Sequence, residues 1–184
     1  MQNEYEAKFL NIEEDKVKSL LKKLGAKLTK PKQLLRRAIF ENDITGSSHS
    51  WVRLRNEGDK TTLTLKQVAD TSTIRGTKEI ELKVDDFENT NQFLEGVGLS
   101  KKRYQENYRE EWQLGDILFD FDTWPDMPTF LEIEGPNEII IKDVALKLGL
   151  DYSQAKFGSI DTIYLREYGR DILKEDTLLF NKSV

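Results

Sequence analysis

The stretch Glu4-Tyr5-Glu6-Ala7-Lys8 near the N-terminus decides how the rest of the chain is interpreted. Side chains on a β-strand alternate between faces with a period of two, so Glu4, Glu6 and Lys8 would share one face. Two carboxylates two residues apart can hold a hard divalent cation through oxygen ligands, and the lysine can reach a phosphate oxygen on that metal. The simpler alternative is an amphipathic edge strand whose charges lie in water.

The composition limits the class of protein. The chain has 184 residues with 38% hydrophobic and 33% charged residues, which predicts one soluble globular domain with a core at about 2–170 and a C-terminal tail, 171–184, of uncertain structure. The absence of cysteine excludes disulfides, thiolate zinc sites and a cysteine nucleophile, and fits a cytoplasmic location. A net charge of −5 argues against a nucleic-acid partner, and a single histidine, His49, excludes His-rich metal sites.

No apolar run is long enough to cross a membrane, and the acidic N-terminus does not resemble a secretory signal, so neither a membrane segment nor a leader is expected.

Turn signals and apolar spacing predict about eight strands and three or four helices. Short turns join most of the strands, so the sheet should be mainly antiparallel. Asn11 is predicted to cap the first helix, with Glu14 as its capping-box partner, and Pro136 is predicted to open a later one. Residues 176–180 are compatible with a short strand or a loose tail. The predicted strands are 4–8, 33–43, 50–56, 60–68, 77–84, 101–114, 117–124 and 129–134.

Charged residues occupy one face of almost every predicted strand. Eight acids and eight bases give this face a formal balance of zero. The acids are Glu4, Glu6, Glu79, Glu81, Asp120, Asp122, Glu132 and Glu134, and the bases are Lys8, Arg37, Arg53, Arg55, Lys66, Lys83, Arg103 and Arg109.

The alternation by itself fits two architectures. An antiparallel sheet with one solvated face alternates in this way by default. A closed barrel with its charged side inward and its apolar side under helices also fits. Interior charges are costly unless they are paired or bound to metal, so that second arrangement implies water, cations and an anionic ligand inside.

Several motifs together resemble the CYTH family, also called triphosphate tunnel metalloenzymes. They are Glu4-x-Glu6-x-Lys8, the basic strands carrying Arg53, Arg55 and Lys66, the pair Glu79 and Glu81, the Arg103 strand, and Asp122 ten residues before Leu131-Glu132-Ile133-Glu134-Gly135. Their order and spacing hold from residue 4 to about residue 165. The resemblance implies an α+β fold over residues 1–184: a closed eight-stranded antiparallel β-barrel, open at both ends, with helices packed outside. It also implies Mg²⁺ or Mn²⁺ and a small-molecule triphosphate inside.

The resemblance also implies roles for individual residues. Catalysis would fall to Glu4, Glu6, Lys8 and Glu134, and metal binding to Glu4, Glu6, Asp122, Glu132 and Glu134. Triphosphate binding would fall to Lys8, Arg37, Arg53, Arg55, Lys66, Arg103 and Arg109. Glu79 and Glu81 would either orient the arginines or bind metal directly, with Lys83 and Asp120 as further supporting residues.

One departure from the family pattern concerns substrate choice. Many members have a Gly-Leu-Gly-like stretch where this chain has Pro125-Asp126-Met127-Pro128-Thr129, which should reshape the tunnel mouth. Three functions therefore stay open: a metal-dependent triphosphatase acting on tripolyphosphate or a nucleoside or thiamine triphosphate, an adenylate cyclase, and a non-catalytic triphosphate or polyphosphate binder. The retained acidic residues favour catalysis over binding alone, and the cyclase ranks second because no residue in the sequence must bind adenine or act as a base near the ribose. A homodimer through the outer face of the sheet is compatible with the pattern, and nothing in the sequence requires one.

Overall fold

The computed structural model describes residues 2–41, 50–68, 74 and 77–180, and at positions 2–4, 68 and 77 it describes the backbone alone. His49, the predicted loop at 45–48 and the side chain of Glu4 therefore lie outside the described part.

Nine strands are present in the described residues, and eight of them are long. They are β1 (Gln2–Phe9), β2 (Lys27–Glu41), β3 (Ser50–Asn56), β4 (Thr61–Val68), β5 (Thr77–Val84), β6 (Ser100–Leu114), β7 (Ile117–Thr123), β8 (Phe130–Gly135) and β9 (Thr177–Leu178). The helices are α1 (Glu14–Leu24), α2 (Phe87–Gly96), α3 (Glu138–Lys147) and α4 (Ile160–Tyr168), with 3₁₀ turns at Tyr152–Gln154 and Ile172–Lys174.

The long strands form one antiparallel sheet, as the sequence predicted. Their order is β2-β3-β4-β5-β1-β8-β7-β6-β9, and β2 also pairs with β6 along most of its length. β1 pairs with β5 through residues 2–4 and with β8 through residues 5–9. The last strand, β9, pairs in parallel with β6, so residues 176–180, which were compatible with a strand or a loose tail, contain a short strand of the sheet.

Apolar side chains of the helices pack against the sheet in three clusters, two of which cover its apolar face. Val17 and Leu21 of α1 and Ile141 of α3 pack over the outward side chains of β1, β7 and β8. Leu94 of α2 packs over Phe40 and the neighbouring part of β2 and β3. The third cluster joins α4, the 3₁₀ turn at Ile172–Lys174 and β9 to Trp124, Met127 and Phe130. The charged face therefore lies on the side of the sheet opposite to the covered apolar face.

Two helix starts differ from the prediction. α1 begins after Glu13, which makes no side-chain cap, and Asn11 instead adopts a left-handed backbone with φ of 54°. Asparagine tolerates that conformation better than most residues, so it serves the turn before the helix. α3 is capped by Asn137, whose side chain accepts a hydrogen bond from the Ile140 amide at 3.0 Å, so the helix starts beyond Pro136.

Candidate functional site

The charged face of the sheet lines a cavity of about 860 Å³. Fourteen of the sixteen residues proposed from the sequence line it: Glu6, Lys8, Arg37, Arg53, Arg55, Lys66, Glu79, Glu81, Arg103, Arg109, Asp120, Asp122, Glu132 and Glu134. Lys83 does not, because it is exposed near the end of β5 and lines a separate depression beside the β3–β4 turn. The cavity has the size of a typical small-molecule site.

A basic arc occupies the β2 and β3 side of this cavity. Arg37 pairs in register with Arg55, and Arg53 lies two residues from Arg55 on the same face. All three side chains are buried, and their Nε atoms have no hydrogen-bond partner among the described residues. Burial and the neighbouring arginine charges lower the pKa of Arg37 well below its ordinary value and lower that of Arg53 to about 10. The arrangement concentrates positive charge that an anion would relieve.

Each arginine of the basic arc is nevertheless held in a defined position. Arg53 Nη2 donates to Thr64 Oγ1 at 3.1 Å, and Arg55 is paired with Glu57. The guanidinium of Arg37 donates to Asn107 Oδ1 and lies 4.6 Å from the centre of the Trp124 ring. Such contacts fix guanidinium groups before a ligand arrives and so lower the entropy cost of binding.

An acidic arc occupies the opposite side, on β1, β7 and β8. Glu6 pairs in register with Glu134, and Lys8 pairs with Glu132. Lys8 Nζ lies 2.8 Å from Glu6 Oε1 and 3.0 Å from Glu132 Oε2. Although burial favours the neutral amine, these two carboxylates raise the pKa of Lys8 above its ordinary value. Lys8 is therefore a fixed cation within the acidic arc.

Arg109 forms its ion pairs with the acids of this arc. It pairs with Asp120, Asp122 and Glu132, and these charges raise its pKa against the effect of burial. Burial opposes the charged form of Glu132, but Lys8 and Arg109 hold the pKa of that carboxyl below its ordinary value. Asp120 behaves differently, since burial and the charges of Asp122 and Glu132 raise its pKa despite Arg109.

Comparison with known proteins identifies the family. The CYTH domain matches residues 2–148, which is most of the chain. The chain belongs to the CYTH family. No match was found among curated proteins.

Three solved structures share the CYTH fold of this chain. A protein from Pyrococcus horikoshii is 24% identical with a TM-score of 0.67, and the match covers 83% of this chain and 94% of that one. A candidate adenylate cyclase from Vibrio parahaemolyticus is 12% identical with a TM-score of 0.73, covering 88% and 97%. A candidate adenylyl cyclase from Hippeastrum, described as having a dominant triphosphatase activity, is 15% identical with a TM-score of 0.61, covering 92% and 97%.

CYTH proteins are usually enzymes that act on small-molecule triphosphates and generally use divalent metals. Among the described residues, no three acidic or histidine side chains are grouped closely enough to hold a metal as they stand. The pair Glu6 and Glu134 still fits a hard cation by its chemistry. Burial and the charges of Glu132 and Glu6 raise the pKa of Glu134 to about 7, so this site has an excess of negative charge.

The CYTH cavity also contains residues that were not singled out from the sequence. Glu41, Lys30, Lys60 and Glu111 line it. Glu41 shares the strand parity of Arg37, and Glu111 shares that of Arg109, so alternation alone could have found both. Lys30 has the opposite parity and comes into the cavity because the β2–β6 register shifts on either side of it. Lys60 lies just before β4, and in the predicted strand 60–68 it shares the parity of Lys66, so alternation could have found it as well.

None of the helices in the described part of the chain is long and apolar enough to span a membrane.

Proposed function

We propose that this protein is a divalent-metal-dependent hydrolase of triphosphates, with the substrate held inside a closed tunnel formed by a single domain. Closure of the sheet is supported by the β2–β6 pairing, because with it each of the eight long strands has two neighbours. The observation that carries the proposal is the division of one cavity into a basic arc and an acidic arc. A metal-bound triphosphate has the same division, with anionic oxygens on one side and a cation on the other.

The basic arc binds the phosphate chain in this proposal. Arg37, Arg53 and Arg55 present guanidinium groups, whose planar forks match phosphate oxygens two at a time. Lys66 of β4 and Arg103 of β6 also line the cavity and add two positive charges to this surface. Because Arg37, Arg53 and Arg55 are buried, their charges act through a low dielectric and stabilise the transferring phosphoryl group strongly.

The acidic arc holds Mg²⁺ or Mn²⁺ in this proposal. Glu6 and Glu134 would be ligands, with Glu4, Glu132 and Asp122 as the further ligands expected from the family resemblance. A divalent ion held by these residues would supply Lewis-acid stabilisation of the phosphate charge and a water molecule of lowered pKa. Lys8 orients Glu6 and Glu132 through its two short ion pairs. Arg109 holds Asp122 and Glu132 in place through its ion pairs, so its role is positioning and not phosphate contact.

An adenylate cyclase is the second candidate, because two of the structural neighbours are described as candidate cyclases. The same cavity would bind ATP, and the ribose 3′-hydroxyl would attack the α-phosphorus. We rank it lower because no described side chain is evidently placed as a base for that hydroxyl. The Hippeastrum protein, with its dominant triphosphatase activity, supports the same ranking.

The test is a product analysis with Mg²⁺ and with Mn²⁺. Tripolyphosphate, ATP and thiamine triphosphate are each incubated with the protein, and phosphate, pyrophosphate and cyclic AMP are measured separately. We expect phosphate release that a chelator abolishes. Cyclic AMP with pyrophosphate would establish the cyclase instead.

A variant distinguishes an enzyme from a pure binder. Glu6→Gln should remove nearly all turnover and preserve triphosphate binding, because it removes a metal ligand and leaves the basic arc intact. Glu13→Gln changes an exposed carboxylate outside the cavity and is the matched control. Unchanged phosphate release by Glu6→Gln would contradict the metal role of Glu6.

A further inference from the structure

The segment that follows the family match forms one wall of the cavity. The match ends at residue 148, yet Ser159, Ile160, Asp161, Thr162, Ile172 and Leu173 all line the cavity. They belong to the start of α4 and to the 3₁₀ turn at Ile172–Lys174. We name residues 159–173 the C-terminal wall.

The C-terminal wall is fixed to the loop that departs from the family pattern. The Tyr164 hydroxyl donates to the Pro125 carbonyl at 2.5 Å, and Arg170 Nη1 donates to Asp126 Oδ2 at 2.9 Å. Met127 of the same loop is buried in one cluster with Ile163 and Ile172. The unusual loop and the C-terminal wall are therefore complementary parts of one structure at this end of the cavity.

Arg103 joins the C-terminal wall to the phosphate-binding surface. Its guanidinium pairs with Glu41 of β2 and lies 3.5 Å from the Leu173 carbonyl oxygen, to which it donates. Leu173 is 51% exposed and Ile160 is partly exposed, so both can contact a ligand in the cavity. The apolar surface begins directly where the basic surface ends.

The chemistry of the wall does not suit a phosphate chain. Its cavity-lining residues include aliphatic groups, two hydroxyls and the Asp161 carboxylate, and no lysine or arginine. A bare tripolyphosphate gains nothing from aliphatic side chains and is repelled by a carboxylate. An organic group with an apolar ring and polar edges can pack on Ile160 and Leu173 and hydrogen-bond with Ser159, Asp161 or Thr162.

We propose that the C-terminal wall binds the organic group of the substrate, so that the protein prefers a triphosphate attached to a ring-bearing group over inorganic tripolyphosphate. The proposal rests on the proposed function, since it assigns the substrate class of the same cavity. Leu173 and Ile160 are its specificity-determining residues.

The experiment compares the wild-type protein with the double variant Ile160→Ala, Leu173→Ala. Leu165→Ala is the matched control, because Leu165 is a 55% exposed leucine of α4 that does not line the cavity. Values of KM and kcat are measured for ATP, thiamine triphosphate and tripolyphosphate. Equilibrium binding of the same three compounds is measured by calorimetry with chelator present, which prevents metal-dependent turnover.

The wild-type protein should bind ATP or thiamine triphosphate more tightly than tripolyphosphate. The double variant should weaken binding of the organic triphosphate about 10-fold, as expected for loss of partly buried aliphatic contacts, and leave tripolyphosphate within about twofold. Equal losses for all three compounds, a wild-type preference for tripolyphosphate, or no binding at all would overturn the inference. Absence of hydrolysis together with Leu173-dependent binding would instead refute the proposed hydrolase and preserve the assigned substrate class.

Discussion

Arg109 binds Asp122 through two parallel hydrogen bonds, with Nε donating to Oδ1 at 2.8 Å and Nη2 donating to Oδ2 at 2.5 Å. The sequence placed Arg109 with the phosphate-binding bases. Its partners in the structure are all acids, so its positive charge is already compensated within the protein.

This pairing predicts that Arg109 supports stability more than substrate binding. Arg109→Ala leaves three buried or partly buried carboxylates without their common cation, and should cost about 3–5 kcal/mol of unfolding free energy. Denaturant unfolding measures this cost. Arg36→Ala is the control, because Arg36 makes one ion pair at an exposed position and should cost less than about 1 kcal/mol. Unchanged stability with a raised KM would instead make Arg109 a phosphate ligand.

A substitution in the basic arc should change the unfolding free energy little and weaken phosphate binding strongly. Arg53→Gln removes a buried charge that Arg55 repels, so the unfolding free energy of the ligand-free protein should fall by less than about 1 kcal/mol or rise. Tripolyphosphate binding should weaken at least about 10-fold, since charge-assisted hydrogen bonds to phosphate are lost. Calorimetric titration and thermal unfolding give the two values. A large loss of stability with unchanged binding would show that Arg53 serves the fold and not the ligand.

The raised pKa of Glu134 predicts that the unfolding free energy of the metal-free protein depends on pH. Its pKa is raised from 4.5 to about 7, so the folded protein holds this proton more tightly than the unfolded chain does. The contribution of Glu134 to stability therefore falls as pH rises from about 4.5 to about 7. Glu134→Gln should match the wild type near pH 4.5 and exceed it by about 3 kcal/mol at pH 8.

The measurement for Glu134 is denaturant unfolding at the two pH values in chelator. Added Mg²⁺ should stabilise the wild type at pH 8 and have less effect on the variant, because ligand binding to the folded state alone raises stability. A difference between the two proteins that is the same at both pH values would contradict the raised pKa.

The hydrogen bond from Tyr164 to Pro125 predicts that Tyr164 stabilises the C-terminal wall. Tyr164→Phe removes the donor to the Pro125 carbonyl and leaves that buried acceptor unsatisfied, at a cost of about 1–3 kcal/mol. Amide hydrogen exchange should become faster in α4 and remain unchanged in α1, which packs elsewhere on the sheet. Tyr168→Phe is the control, since Tyr168 is 41% exposed. Unchanged exchange in α4 would mean that apolar packing alone holds the wall.

The face of the sheet that a residue occupies could be predicted from the sequence for most of the charged residues. Alternation along each strand placed Glu132 and Glu134 on the charged face of the sheet, and it placed Arg53 and Arg55 of a different strand on the same face. That assignment follows from the period of two and needs no tertiary information. It failed for Lys83 because a strand end can leave the cavity, and it missed Lys30 because bulges in β2 shift the register.

Pairings between strands that are distant along the chain were beyond the reach of the sequence pattern. The tertiary structure places β1 beside β8, which brings Lys8 to Glu132, and places β6 beside both β2 and β7, which brings Arg109 to Asp122. Lys8 and Glu132 are separated by more than a hundred positions along the chain, and alternation is the same whichever strands adjoin. Arg109 and Asp122 are close in sequence, because they face each other across the short turn between β6 and β7. The predicted order of charges on one face therefore could not reveal that the cavity has a basic side and an acidic side.

Local spacing along the chain is enough to predict a mainly antiparallel sheet with one densely charged, balanced face, because it fixes which side of a strand each residue occupies. The three-dimensional fold establishes which charges neutralise one another and which remain available to a ligand, and it places residues 159–173 against the cavity. Those outcomes depend on contacts between distant segments, whose energies arise from burial and charge pairing in three dimensions and leave no periodic signal in the chain.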